Sequence, residues 1–167
     1  MADYEGMRWF KCDLQMQTPA DATHWRGAKM GASVAEQQAA ADTYIRRCYE
    51  VGLEVIAITD HNFLSKSFIP MLQEAIHDRT GEFGYRIVLF PGFEFEANVG
   101  KGVHVLSLFE PGSNLDELDH ALTACGVGFP RIQAGVLTKS TSRLAEILPK
   151  IQTLGRTGHQ AGLVVMP

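Results

Sequence analysis

Short apolar runs alternate along this chain with segments whose apolar residues recur at helical spacing. Residues 126–139 carry neither pattern and are predicted to form a loop. The apolar runs predict five strands, at residues 8–14, 55–58, 87–90, 103–108 and 162–166. Because near-continuous apolar strands that alternate with helices are typical of sheets covered on both faces, we predict an α/β protein with a largely parallel sheet.

Capping residues and helix breakers mark where the four predicted helices begin and end. Ser33 and Glu36 form a capping box, in which each side chain accepts a hydrogen bond from a free backbone N–H. Ser67 is predicted to cap the second helix and Gly81 to end it. Pro149 falls inside the fourth helix and is expected to kink it.

Composition excludes several classes of protein. The 167 residues are 46% hydrophobic, which is enough for one buried core. The net charge is −4 and the Lys and Arg residues are scattered, which argues against tight nonspecific DNA binding but not against a phosphodiester held through metals. There is no secretory signal and no apolar run of membrane-spanning length. We therefore predict a cytoplasmic protein with no membrane partner.

The three cysteines show neither zinc-binding spacing nor a disulfide framework. Cys48 and Cys125 fall on apolar helix faces and are predicted to be buried small hydrophobic residues. His77 and His120 are predicted on helix surfaces, and His159 in a glycine-rich turn. None of these five side chains is therefore expected in a functional site.

Polar side chains cluster beside the predicted strands. The most informative cluster is Thr59-Asp60-His61-Asn62, which directly follows an apolar strand, and an imidazole beside a carboxylate at a strand end suits metal binding or acid–base chemistry. The other clusters are residues 13–21 with His24, residues 91–94, and His104. Because parallel strands end at the same edge of a sheet, we expect these groups to converge and to offer ligands for several metal ions. His104 opens its strand instead of following it, and a hairpin turn at residues 99–102 would bring it to the same edge.

In order and frame, these clusters resemble the motifs of the PHP family, the polymerase and histidinol phosphatase domains. Residues 59–62 match the family motif Thr-Asp-His-Asn, residues 92–94 match its Gly-x-Glu, and His104 matches a His that opens an apolar strand. The family's opening, Asp-Leu-His-x-His-Thr, reads Asp-Leu-Gln-Met-Gln-Thr at residues 13–18. The continuation through His24 is most similar to PHP domains fused to large ATPases.

The resemblance implies a distorted β/α barrel, similar to a TIM barrel, with a cluster of zinc or manganese ions at the strand ends. It implies that His24 and His61 serve one ion, that Glu94 bridges two, and that His104 serves the second of those. The ions would activate water and clamp a phosphate ester, with His61 and Glu94 as the catalytic residues. Asp21 remains either a turn residue or a ligand.

Asp13 and Asp60 are expected to orient neighbouring ligands rather than to bind metal themselves. Gln15 and Gln17 stand where the family has a pair of metal-binding histidines. An amide oxygen is a weaker ligand than an imidazole, so these two positions are degenerate and we expect sub-stoichiometric metal. The family's later motifs, a further His and a final Asp-x-His, have no match here.

The resemblance therefore implies that residues 1–167 form the N-terminal part of a PHP barrel, and such a piece would have an open edge that favours self-association. The predicted function is metal-dependent hydrolysis of phosphate esters, with nucleic acids or nucleotides among the candidate substrates. One alternative is a catalytically impaired module with a structural or regulatory role, joined to or bound by an ATPase. A second alternative is a small-molecule phosphatase.

Overall fold

The computed structural model describes residues 8–21, 23–100 and 102–153, together with the backbone of residues 162–165. The elements in chain order are β1 (Cys12–Met16), α1 (Val34–Glu50), β2 (Val55–His61), α2 (Phe68–Phe83), β3 (Val88–Ala97), β4 (Val103–Phe109), α3 (Leu115–Ala124), β5 (Ile132–Gln133), β6 (Val136–Leu137), α4 (Leu144–Thr153) and β7 (Gly162–Val165). The prediction of a mixed α/β protein is confirmed. The predicted turn at His159 and the end of the last predicted strand lie outside the described residues.

Five strands form one sheet, in the order β1-β2-β3-β4-β7. The strands β1, β2 and β3 are parallel, whereas β4 is antiparallel to β3 and β7 is antiparallel to β4. Two successive reversals return β7 to the direction of β1, β2 and β3, so the prediction of a largely parallel sheet is correct for the direction of four of the five strands. Of these five strands only β4 is reversed, because the chain between β3 and β4 is too short for a crossover helix and forms a hairpin. The sheet is curled into a half-barrel, consistent with part of an α/β barrel.

One cluster of buried apolar side chains joins the sheet to all four helices. Its largest fully buried members include Phe68 of α2 and the β-strand residues Phe93, Phe95 and Phe109. Cys48 is also buried in this cluster, as predicted. The polar ends of the strands are therefore held on a packed support.

None of the helices in the described ranges is long and apolar enough to cross a membrane.

The first two helices agree with their predicted starts, but the second ends later than predicted. The Ser33 side chain accepts a hydrogen bond from the backbone N–H of Glu36, and the reciprocal bond is present, which confirms the capping box. Ser67 precedes α2 without a side-chain capping bond. The helix continues through Gly81 to end at Gly84, whose φ of 74° is left-handed.

Other boundaries also differ from the predictions. The first strand was expected at residues 8–14 but spans Cys12–Met16. Residues 126–139 are not only a loop, because β5 and β6 pair within them as a small hairpin. Pro149 lies inside α4, but the helix continues beyond it to Thr153.

The strand β3 extends beyond its predicted end at residue 90 and reaches Ala97. Pro91 and Gly92 lie beyond the predicted end, but both pair with β2 in parallel register. A Cβ atom at residue 92 would lie 2.3 Å from the backbone oxygen of Ser107. Glycine is therefore required here because it lets the backbones of β3 and β4 approach each other.

Candidate metal centre

The predicted site residues converge on one cleft at the end of the sheet. His61 is the last residue of β2 and pairs in register with Glu94 of β3. His104 lies near the start of β4, and because β4 runs antiparallel to β3, this start lies at the same end of the sheet. The cleft is lined by Gln15, Gln17, His24, Arg26, His61, Glu94, Gly102, Val103 and His104.

Glu94 is the centre of the site. Its side chain is buried, and Oε1 lies 3.3 Å from Nε2 of His61 and 2.6 Å from Nδ1 of His104. The amide nitrogen of Gln15 donates a 3.0 Å hydrogen bond to Oε2. Ligand atoms of His61, Glu94 and His104 all lie within 4.8 Å of one another, so these three side chains could hold one ion. The prediction that Glu94 follows its strand is wrong, since it lies within β3.

Asp21, which the sequence leaves open between turn residue and ligand, lies against His61. Its Oδ2 atom is 2.8 Å from Nδ1 of His61 and also accepts the backbone N–H of that residue. Its Oδ1 atom accepts the backbone N–H of His24. The rings of His24 and His61 are stacked, with centroids 3.5 Å apart. Asp21, His24 and His61 form a second group that could hold an ion.

The carboxylates on both sides of His61 determine its charge. Burial alone would lower the pKa of His61, but hydrogen bonds to Asp21 and Glu94 outweigh burial and raise the pKa to about 9. Burial would raise the pKa of Glu94, but bonds from His61, Gln15 and His104 lower it to about 2. The pKa of Asp21 is likewise held well below its usual range, despite burial, mainly by the hydrogen bond from His61. Without metal, the site is therefore an imidazolium between two carboxylates.

The two ring nitrogens of His61 face different groups. Nδ1 faces Asp21, and Nε2 faces Glu94. In metal sites a histidine usually donates its second N–H to a carboxylate, which fixes the ring and its tautomer. The geometry therefore suits a metal bound through Nε2 of His61, with Asp21 holding the ring from behind.

Asp60 is fully buried and supports the loop that carries Asp21. It accepts hydrogen bonds from the backbone N–H of Thr18 (2.6 Å), the hydroxyl of Thr18 (2.7 Å) and the hydroxyl of Ser65. Burial raises the pKa of Asp60 in spite of these bonds. The backbone oxygen of Thr18 in turn accepts the N–H of Asp21. Asp13 is exposed and accepts the backbone N–H of Gln15, two residues further along β1.

Asn62 has a structural role that the sequence does not reveal. It has a φ of 54°, a left-handed conformation that Asn tolerates better than most residues. Its side-chain NH₂ donates to the backbone oxygens of Arg131 and Thr138, at 3.0 and 2.6 Å. Asn62 thus ends the strand of His61 and fastens the β5–β6 hairpin to it.

His77 and His120 lie exposed on α2 and α3, as predicted. Glu96 lies on β3 two residues after Glu94, but its Oε1 atom forms an ion pair with Nζ of Lys139 at 2.6 Å. These three residues are therefore natural controls for changes in the cleft.

Comparison of the sequence with protein-family models and with curated proteins finds no match. The resemblance to the PHP family therefore rests on the motifs alone, and the function is inferred from the side chains in the cleft.

We expect the stability of the metal-free protein to fall as the pH is raised from 6.5 to 9. The raised pKa of His61 stabilises the fold fully below pH 6.5, the ordinary value, and this contribution is lost as the pH passes about 9. A shift of this size corresponds to about 3 kcal/mol. Urea unfolding in the presence of a chelator would measure the decline. His61→Gln should remove most of it, and an equal decline in that variant would contradict the assignment.

Proposed function

We propose that this chain is a metal-dependent phosphoesterase of the PHP type. The observation that carries the proposal is the convergence of His61, Glu94 and His104, whose ligand atoms lie within 4.8 Å of one another. Two imidazole nitrogens and a carboxylate oxygen suit Zn²⁺ or Mn²⁺. Three protein ligands would leave a coordination position for water or substrate, as in catalytic zinc sites.

A bound ion would supply Lewis acidity and lower the pKa of a coordinated water. The protein's own part is to hold the ligands. Asp21 fixes the ring of His61 from the Nδ1 side, and Gln15 occupies Oε2 of Glu94, which leaves Oε1 facing the two histidines. His104 is about half exposed, at 47% of its side-chain surface, so the open side of the site lies there. A phosphate ester would enter from that side.

The alternative is a catalytically impaired module with a structural or regulatory role beside an ATPase. The Gln15 amide favours it, because a direct 3.0 Å hydrogen bond to Glu94 satisfies part of the carboxylate without metal. The histidine pair of the resembled family would instead offer imidazoles at these positions. The two functions differ in whether metal-loaded protein hydrolyses an ester.

Hydrolysis of a chromogenic phosphate monoester and of a short oligonucleotide, by chain loaded with Mn²⁺ or Zn²⁺, tests the proposal. We expect turnover that requires metal and that falls at least about 100-fold in His104→Gln. His120→Gln, which changes an exposed helix residue, should retain full activity. Metal-bound protein without turnover would favour the impaired module, and protein that binds no metal would contradict both the site and the enzyme.

We also expect metal occupancy below the three ions that the family resemblance implies. Gln15 and Gln17 line the cleft with amides, which are poor ligands for zinc. Elemental analysis after chelation and reloading should find fewer than three ions per chain. The double change Gln15→His and Gln17→His should increase the number bound. Three tightly bound ions in the unchanged protein would show that the amides are not degenerate positions.

A further inference from the structure

We propose that Arg26 is the phosphate-binding residue of the cleft, and that the substrate is an ester with a terminal phosphate. This inference rests on the proposed function, since it assigns the substrate class of the same site. Arg26 belongs to none of the sequence motifs described above, so the sequence alone does not indicate this role.

Arg26 is the one Lys or Arg residue among the cleft-lining side chains in the ranges that the structure describes. It forms no ion pair with a carboxylate of those ranges. Other arginines are committed to the fold: Arg79 binds Asp42 through two nitrogens, and Arg131 binds Asp119. With respect to the part of the chain that the structure describes, Arg26 therefore offers a guanidinium without an ion pair in the cleft of the metal ligands.

The backbone on both sides of Arg26 is held in place. On one side, His24 is stacked on His61 of the metal centre. The neighbouring Trp25 donates its backbone N–H to the backbone oxygen of Asp21 and its indole N–H to the backbone oxygen of Ala28, at 3.0 and 2.6 Å. Because the loop is already ordered, less conformational entropy is lost when the guanidinium binds an anion.

On the other side, Gly27 allows this conformation. A Cβ atom at residue 27 would lie 2.4 Å from the indole ring of Trp25, so a larger residue would push the ring away. The contacts of Trp25 and the close approach of Gly27 to its ring therefore hold the backbone of Arg26 in place.

The carboxylates of the site favour a further cation beside His61 and a bound metal ion. Glu94 places a carboxylate in the cleft and Asp21 places a second one behind the ring of His61, and both repel a phosphate unless cations offset them. The fork of a guanidinium matches two phosphate oxygens and binds them with paired hydrogen bonds. A terminal phosphate has three non-ester oxygens, enough for both the fork and an ion held by His61, Glu94 and His104. A phosphate diester has two non-ester oxygens, which are too few to bind both nitrogens of the guanidinium fork and the ion at the same time.

Binding of orthophosphate, and of dimethyl phosphate as a diester analogue, tests the inference on the full chain, with and without Mn²⁺. We expect Arg26→Ala to weaken orthophosphate binding at least about 10-fold in both forms, with unchanged Mn²⁺ affinity. Arg26→Lys should restore part of the loss, because it keeps the charge but not the fork. Lys29→Ala is the matched control, an exposed cation three residues away that does not line this cleft.

Two results would overturn the inference. One is orthophosphate binding by Arg26→Ala that equals that of the unchanged protein. The other is dimethyl phosphate binding as tight as orthophosphate binding, which would remove the preference for a terminal phosphate. Failure to bind Mn²⁺ would instead count against the proposed function, and the measurement on metal-free protein would still decide whether Arg26 binds phosphate.

Discussion

Replacement of Glu94 by Gln is expected to weaken metal binding about 100-fold or more, because it removes the one carboxylate shared by His61 and His104. The change keeps the size of the side chain, so the core beneath it remains filled. It also deprives His61 of one of the two carboxylates that raise its pKa, so that pKa should fall from about 9. Titration calorimetry with Mn²⁺, and NMR titration of the imidazole without metal, measure the two effects.

The matched control is Glu96→Gln, two residues further along the same strand. Glu96 is partly exposed and pairs with Lys139 rather than with a histidine. Its replacement should leave both Mn²⁺ affinity and the pKa of His61 unchanged. Equal effects of the two substitutions would mean that general negative charge, rather than Glu94 as a ligand, determines metal binding.

Asp60→Ala is expected to destabilise the protein by about 3 kcal/mol. The change leaves two hydroxyls and the backbone N–H of Thr18 without their acceptor in a buried region, since the Asp60 side chain receives bonds from Thr18 and Ser65. Urea unfolding in the presence of a chelator measures this loss independently of metal. Metal affinity of the folded variant should also fall, because Thr18 helps to hold the loop of Asp21.

Asp13→Ala provides the comparison for this second prediction. Asp13 is an exposed aspartate whose described contact is with the backbone N–H of Gln15. Removal of such a side chain should change stability by no more than about 0.5 kcal/mol. A loss of similar size in both variants, or no loss in Asp60→Ala, would show that Asp60 does not anchor the loop.

The sequence predicts the order of the four helices and of the five strands of the main sheet, but not the small β5–β6 hairpin. It also predicts that His61, Glu94 and His104 converge. These features could be predicted because they follow from local sequence patterns. Apolar runs mark the strands, and polar residues interrupt the runs where the sheet meets the cleft. The direction of β4 could not be decided from the sequence, because an apolar strand has the same pattern whether it runs parallel or antiparallel.

The role of Asp21 could not be read from the sequence for a different reason. Its partner His61 lies 40 residues away along the chain, and their contact depends on how the loop after β1 folds over the sheet. No periodicity records such a tertiary contact. The same holds for Asn62, whose side chain meets the hairpin residues Arg131 and Thr138.

Because β4 is antiparallel to β3, the number of residues in the turn between them determines which face of the sheet His104 occupies. His104 reaches Glu94 because it is directly opposite Glu96 in the antiparallel register. Side chains alternate between the two faces of a strand, so insertion or deletion of one residue between β3 and β4 would shift the pairing by one residue and direct His104 to the opposite face of the sheet. A change of two residues would keep the face but displace the imidazole along the strand by about 7 Å. Variation in the length of this turn among related chains should therefore separate those that keep the third ligand from those that have lost it.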